Sequence, residues 1–118
     1  IPVLIQVSPL KVGQIHRDWR EDQNVLAIQI PLMNCDNSVT EFWETEHKQE
    51  DVRFLENGPQ YQYIPKESCK KIDEFRLTQP VIFRTDIPHC VTNPTRNSRK
   101  AISLRFYVDP WHLIKDLT

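Results

Sequence analysis

A chain of 118 residues falls in the usual single-domain range and can bury one core, which excludes a second full domain. Its 15 basic and 16 acidic residues give a formal net charge of -1, so no overall electrostatic bias draws it to nucleic acid or to an anionic membrane. The longest apolar run, Ile1 to Ile5, is too short to cross a membrane and has no basic segment before it. Together with three cysteines in no CxxC spacing, this predicts a cytoplasmic protein with reduced thiols.

Nine prolines against two glycines favour short extended segments over long helices, so we expect a mainly β chain. The sequence begins at Ile1, inside a strand-like run, which suggests a domain cut from a longer chain with N-terminal elements missing. Eight or nine short strands are enough to close a jelly roll. In chain order they are Val3 to Val7, Leu10 to His16, Asn24 to Leu32, Val39 to Glu44, Gln60 to Ile64, Ile72 to Leu77, Val81 to Arg84, His89 to Thr92 and Ala101 to Val108.

The remaining segments are predicted to be turns, one polar loop and one helix. Turn residues fill 34–37, 56–59 and 93–97. The highly charged stretch Thr45 to Val52 is typical of a solvated helix turn or loop, and Trp111 to Leu117 after Pro110 predicts a short C-terminal helix. The expected fold is therefore one jelly-roll, cupin-like domain over residues 1–118.

The last predicted strand has two chemically different faces. Alternation places Ile102, Leu104, Phe106 and Val108 on one face and Arg99, Ser103, Arg105 and Tyr107 on the other. Two arginines and a serine on one strand face need either water or a polar cavity. A barrel interior that holds an anion would satisfy that requirement.

Two potential metal ligands lie early in the chain. His16 and Asp18 are two positions apart, so in extended chain both side chains project to the same face. An imidazole and a carboxylate are two of the three protein ligands in the two-histidine, one-carboxylate sites of non-haem iron(II) oxygenases. His89 is the best candidate for the third ligand, because it follows another strand and turn 73 residues later and Pro88 holds its entry into the next strand.

His16-Arg17-Asp18, then His89, then Arg99 ten positions later resembles the HxD…H…R pattern of iron(II)- and 2-oxoglutarate-dependent oxygenases. The likeness spans residues 14 to 105. It implies a double-stranded β-helix fold, Fe(II) held by His16, Asp18 and His89, and 2-oxoglutarate as co-substrate. It further implies a hydroxylase that couples 2-oxoglutarate decarboxylation to C–H oxidation.

The resemblance also implies an arginine that pairs with the distal carboxylate of 2-oxoglutarate, for which a planar guanidinium is well suited. Arg99 matches by spacing, and Arg105 is the competitor about 20 Å along the same strand face at ~3.3 Å per residue. Many family members carry a serine two residues after the arginine, where this chain has Ala101 and offers Ser103 instead. Arg99, Ser103 and Arg105 are therefore the candidate co-substrate residues.

Each of these residues also has an ordinary explanation. An isolated HxD occurs by chance in many proteins, so the interpretation depends on the combination with a distant histidine, an arginine and the strand pattern. His47 and His112 lie in polar or terminal segments and are predicted to be surface residues. Gln29, Asn34 and Thr40 can point into a pocket, but each has an equally good turn or strand-surface explanation.

Two other functions remain open on this sequence. One is a cupin-like metal enzyme without 2-oxoglutarate, and the other is a non-enzymatic jelly-roll module that binds a ligand or protein. For the oxygenase, we expect a small-molecule or peptide substrate, with no nucleic acid or membrane partner. The loops that contact substrate vary on one fold, so the same metal centre fits several substrate classes.

Overall fold

The computed structural model describes residues 2–19, 26–46, 52–53 and 60–106. This part of the chain is mainly β, as predicted, with one 3-10 turn at Lys66–Ser68. No helix in the described ranges is long and apolar enough to span a membrane. The strands are β1 Pro2–Val7, β2 Lys11–Val12, β3 His16–Trp19, β4 Leu26–Met33, β5 Val39–Thr45, β6 Val52–Arg53, β7 Gln60–Tyr63, β8 Cys69–Phe75, β9 Val81–Arg84, β10 His89–Asn93 and β11 Arg99–Arg105.

The strands form two antiparallel sheets. One sheet has the order β1-β11-β4-β9, and the other has the order β6-β7-β3-β10-β5-β8, with β2 paired to β10. The sheets face each other, because Arg105 of β11 pairs with Asp18 of β3 and the ring of Phe83 in β9 meets that of His89 in β10. Side chains on these facing surfaces form the interior.

The predicted strand from Leu10 to His16 is wrong in its bounds. The structure divides it into β2 and β3 around Gly13, Gln14 and Ile15, so that a strand begins at His16 instead of ending there. At this break the backbone of Gly13 lies so close to β10 that a Cβ there would overlap the carbonyl oxygen of Val91. Only glycine fits there without displacing one of the two chains.

Strand β11 turns its polar face inward. Arg99, Ala101, Ser103 and Arg105 are all buried, whereas Ile102 and Leu104 are half-buried on the other face. The partner strands follow this register, with Ser103 opposite Val3 of β1 and Gln29 of β4. The interior between the sheets is therefore lined by polar groups along this strand.

Apolar clusters lie on both sides of the seven-stranded sheet. Ile15, Trp43, Ile64 and Cys90 pack together, and because Cys90 alternates with His89, this cluster lies on the face away from the other sheet. Cys35, Leu77 and Ala101 form a second cluster beside β11. The Cys90 thiol is therefore buried in an apolar cluster on the face opposite His89.

A buried asparagine fixes the turn that precedes β11. Asn93 is fully buried, and its Nδ2 donates to the carbonyl oxygens of Ser8 at 3.2 Å and Asn97 at 2.8 Å. Its Oδ1 accepts from the backbone N of Thr95 at 3.1 Å. These bonds join the end of β1 to the turn and so position Arg99 at the start of β11.

Some sequence predictions fall outside the described residues. They include the C-terminal helix at Trp111 to Leu117, residue Tyr107 on the polar face of the last strand, and most of the charged stretch between Thr45 and Val52. The bounding residues of that stretch do belong to strands, since Thr45 ends β5 and Val52 begins β6.

Candidate metal centre

Strand β3 presents His16 and Asp18 to the interior. Its residues pair with β7, with His16 opposite Tyr63 and Asp18 opposite Tyr61. The backbone N of Asp18 donates to the carbonyl oxygen of Thr85 at 3.0 Å, which ties the strand to the turn before β10. Nδ1 of His16 donates to the carbonyl oxygen of Gln14 at 2.9 Å. Because a carbonyl can only accept, this bond places the proton on Nδ1 and leaves the Nε2 lone pair for a ligand.

Strand β10 begins with His89, which pairs directly with His16 of β3 and Phe42 of β5. Its Nδ1 donates to the carbonyl oxygen of Ile87 at 2.7 Å, so its Nε2 also carries a lone pair. The carbonyl of the preceding residue, Pro88, accepts from the backbone N of Trp43 at 2.8 Å. The segment that enters β10 is thus held on β5, and the imidazole is oriented by the backbone.

The three side chains predicted as ligands come together. Their ligand atoms all lie within 4.8 Å of one another, and Oδ1 of Asp18 is 3.5 Å from Nε2 of both His16 and His89. Oδ1 is buried and has no hydrogen-bond partner among the described residues. A buried carboxylate oxygen without a donor is costly, and a cation between it and the two imidazoles would relieve that cost. The donor set therefore fits a divalent transition metal.

The protonation state of His89 suits metal binding. Burial, together with the nearby His16, lowers the pKa of His89 to about 4, against the opposing effect of Asp18. The imidazole is consequently neutral at pH 7. A metal can bind it there without displacing a proton, since metal ligands must be deprotonated.

Arg105 pairs with the carboxylate of Asp18. It forms an ion pair with Oδ2 of Asp18, and its Nε donates to Oγ of Ser103 at 2.9 Å. The side chains of Arg105 and Asp18 are only 8% and 7% exposed, and Ser103 is fully buried. Of the predicted co-substrate residues, Arg105 thus holds the carboxylate of Asp18, and Ser103 holds Arg105.

Arg99 is in a different position. It is 1% exposed, and none of its three guanidinium nitrogens has a hydrogen-bond partner in the described part of the chain. Burial lowers its pKa from the usual arginine value. It stands opposite Val7 in β1, whose carbonyl accepts from Asn93 at the far end of β10. Asn93 is four residues from His89 along β10, so the Arg99 end of the interior lies about 13 Å from His89 at ~3.3 Å per residue.

A cavity of about 420 Å³ lies beside the candidate metal centre. It is lined by His16, His89 and Arg105, and it extends to Val7, which stands opposite Arg99. The volume is that of a small-molecule site. The cavity therefore extends from the candidate metal centre to Val7, the residue of β1 that pairs with Arg99.

Two polar residues that the sequence left undecided face the same interior. Oε1 of Gln29, which lines the cavity, and Oγ1 of Thr40 are buried without hydrogen-bond partners among the described residues. Thr40 pairs with Val91, another cavity residue. The alternation of side chains along β4 and β5 was the signal in the sequence that could have placed both residues on the inward face. Asn34 instead belongs to a turn, with φ of 53° and an amide that donates to Oγ1 of Thr95 at 2.7 Å.

Two phenylalanines outside the predicted site residues pack against His89. The ring of Phe83 meets the imidazole edge-on with centroids 5.5 Å apart, and that of Phe42 lies 6.4 Å away. The two phenylalanines come from opposite sheets and shield one side of the His89 imidazole. His47, His112 and the side chain of Trp19 lie outside what the structure describes.

The chain matches no protein-family model, no curated protein and no solved structure. The described residues define a two-sheet antiparallel β protein with a candidate two-histidine, one-carboxylate metal centre.

Proposed function

We propose that this chain is an iron(II)- and 2-oxoglutarate-dependent oxygenase of the double-stranded β-helix class that hydroxylates a small-molecule or peptide substrate. The observation that carries the proposal is the buried, unpartnered Oδ1 of Asp18, which lies 3.5 Å from the Nε2 atoms of both His16 and His89. This ligand set is the one that non-haem iron(II) oxygenases use, with coordination positions left open.

In this role His16, Asp18 and His89 would hold iron(II). When bound, the metal supplies oxygen activation, in which 2-oxoglutarate and O2 react with a substrate C–H bond to give succinate, CO2 and the hydroxylated product. The chain contributes the positions of the three ligands. Gln14 and Ile87 orient the imidazoles through their backbone carbonyls, an arrangement that typically strengthens metal binding.

The co-substrate carboxylate is assigned to Arg99. Arg105 already pairs with Asp18, whereas the guanidinium of Arg99 is buried with no partner among the described residues. A buried cation of this kind requires an anion, and a carboxylate can bind a guanidinium through two parallel hydrogen bonds. The cavity between the metal ligands and Val7 offers room for a five-carbon dicarboxylate. Gln29 and Thr40 add polar atoms along that route.

The arrangement of strands also supports the jelly-roll assignment. Two antiparallel sheets face each other, and the metal ligands come from neighbouring strands of one sheet while both arginines come from the opposite sheet. Site residues then point into the space between the sheets, where a barrel of this class holds its ligand.

The test is an anaerobic titration of the metal-free protein with iron(II) and then with 2-oxoglutarate, monitored by the weak visible charge-transfer band of the chelated keto acid. We expect a band with the native protein, no band with His89→Ala, and a band only at much higher 2-oxoglutarate concentration with Arg99→Met. Succinate formation during substrate screening would then measure turnover.

Each negative result points to a different function. Iron binding without a band in the native protein would favour the cupin-like enzyme that uses no 2-oxoglutarate. Absence of iron binding would refute the metal site and leave the non-enzymatic binding module. The titration therefore separates all three functions that the sequence left open.

A further inference from the structure

We propose that Arg105 is a positioning residue that keeps the second oxygen of Asp18 off the metal, so that Asp18 binds through Oδ1 alone and a coordination position stays open. The inference rests on the proposed metal centre and adds to it a role for an arginine that the centre does not itself require. It concerns the ion pair between Arg105 and Oδ2 of Asp18.

The two carboxylate oxygens of Asp18 have different surroundings. Oδ1 faces Nε2 of both histidines and has no hydrogen bond among the described residues, whereas Oδ2 is bound by the guanidinium of Arg105. Charge-assisted hydrogen bonds of this kind are roughly twice as strong as neutral ones. With the ion pair in place, rotation of the carboxylate to bring both oxygens to a metal would break a buried ion pair.

Arg105 is itself held in place. Its Nε donates to Oγ of Ser103 at 2.9 Å, and Ser103 is fully buried on the same strand face. Because the arginine side chain is 8% exposed, water offers little competition for its hydrogen bonds. The serine and the arginine therefore act as a fixed support for one oxygen of Asp18.

By holding one oxygen of Asp18, Arg105 and Ser103 would control how many coordination positions of the metal stay open. An octahedral metal with three protein ligand atoms keeps three positions, enough for a chelating keto acid and one further molecule. A carboxylate that binds through both oxygens would take one of the three. Loss of Arg105 should thus weaken co-substrate binding while metal binding stays as tight or becomes tighter, because a nearby positive charge is also removed.

The experiment compares native protein with Arg105→Met and Arg105→Lys, with Mn(II) as a redox-inert probe. Mn(II) affinity, water-proton relaxation per bound ion, and 2-oxoglutarate affinity of the Mn(II)-loaded protein are measured for each. The lysine variant keeps the positive charge and one hydrogen-bond donor, so its three values should lie between those of the native protein and those of Arg105→Met. Arg84→Met is the matched control, since it removes an exposed arginine that pairs with Asp86 at 2.6 Å.

For Arg105→Met we expect unchanged or tighter Mn(II) binding, at least a tenfold loss of 2-oxoglutarate affinity, and a fall of about a third in relaxation per ion, since one of three open positions is lost. Arg84→Met should match the native protein in all three. If Arg105→Met does not fold, as judged by circular dichroism, Ser103→Ala and Arg105→Lys serve as the test and should change in the same direction.

Three outcomes would overturn the inference. Weaker Mn(II) binding with unchanged relaxation per bound ion would make Arg105 a simple support for the carboxylate. Weaker 2-oxoglutarate binding with unchanged relaxation would show that Arg105 contacts the co-substrate directly. No change in either affinity would show that the ion pair has no role in ligation. If the native protein binds no Mn(II), the proposed function fails together with this inference. If the native protein binds Mn(II) and one of the three outcomes above is found, only the role of Arg105 fails.

Discussion

Replacement of Arg99 by methionine should stabilise the protein while it disables co-substrate binding. Arg99 is 1% exposed, and its guanidinium has no hydrogen-bond partner among the described residues. Methionine fills a similar volume without a charge. Replacement of a buried ion pair by well-packed apolar residues is often neutral or gains about 1 to 4 kcal/mol, and a buried charge without a partner is costlier still. The free energy of unfolding of the ligand-free variant should increase by that amount.

The opposite effect is expected for 2-oxoglutarate. Removal of one partner from a buried ion pair costs about 3 to 5 kcal/mol, which corresponds to roughly a hundredfold to several thousandfold in affinity. Urea denaturation and thermal melting of the metal-free protein measure the first effect, and titration of the metal-loaded protein measures the second. The two effects have opposite signs, so a general loss of structure cannot produce both.

Arg76→Met is the matched control for this prediction. Arg76 is exposed and donates to the carbonyl oxygen of Asp36 at 3.2 Å, so its replacement should change the free energy of unfolding by no more than about 0.5 kcal/mol. The reasoning would be refuted if Arg99→Met destabilised the ligand-free protein, because its guanidinium would then have a stabilising partner. An unchanged 2-oxoglutarate affinity would remove Arg99 from the co-substrate site.

Two further predictions concern His89 and the segment that leads to His16. Since burial lowers the pKa of His89 from 6.5 to about 4, the unfolded chain binds a proton that the folded protein does not between these values. The free energy of unfolding should therefore fall by up to about 3 kcal/mol as the pH is lowered through that window, and urea denaturation of His89→Phe should lack this component. Gly13→Ala should cost about 1 to 3 kcal/mol, because a Cβ there overlaps the carbonyl oxygen of Val91. Calorimetry should also show at least tenfold weaker metal binding by Gly13→Ala, while unchanged affinity would show that the segment before His16 adjusts freely.

Much of the fold could be predicted from local pattern. Alternation along β11 separated the polar face from the apolar face, and the structure buries Arg99, Ser103 and Arg105 on a single side. Strand identity was also readable, because β-branched and aromatic residues recur between proline-rich and asparagine-rich turns. The HxD spacing predicted that His16 and Asp18 would project together, since strand residues two apart share a face.

The different surroundings of the two arginines were not predictable. Arg99 and Arg105 are equivalent in the alternation pattern, and only the packing of β11 against the opposite sheet shows that Arg105 reaches Asp18. Likewise, Gln29 is an ordinary strand residue until its register opposite Ser103 places it in the interior. Pairing across sheets depends on contacts between distant segments, which no local pattern encodes.

Local irregularities were the other source of error. A register shift between Phe42 and Trp43 in β5 is invisible in the alternation of residue types. The break between β2 and β3 lies beside the close approach of Gly13 to Val91, two residues that are distant in sequence. Most of the expected strands are present with shifted bounds, but β6 at Val52–Arg53 falls in a stretch that was expected to be a loop or helix turn.

The pairing between β3 and β10 consists of a single residue pair, His16 with His89, whereas β3 shares four pairs with β7. The larger sheet thus consists of two panels that meet where hydrogen bonding is sparsest, and both histidines of the candidate metal centre lie on that seam. A metal ion bound to both would fasten the panels together, so local opening of the sheet and loss of the metal become one event. Backbone amides on both sides of the seam should exchange with solvent in the metal-free protein and become protected when metal binds.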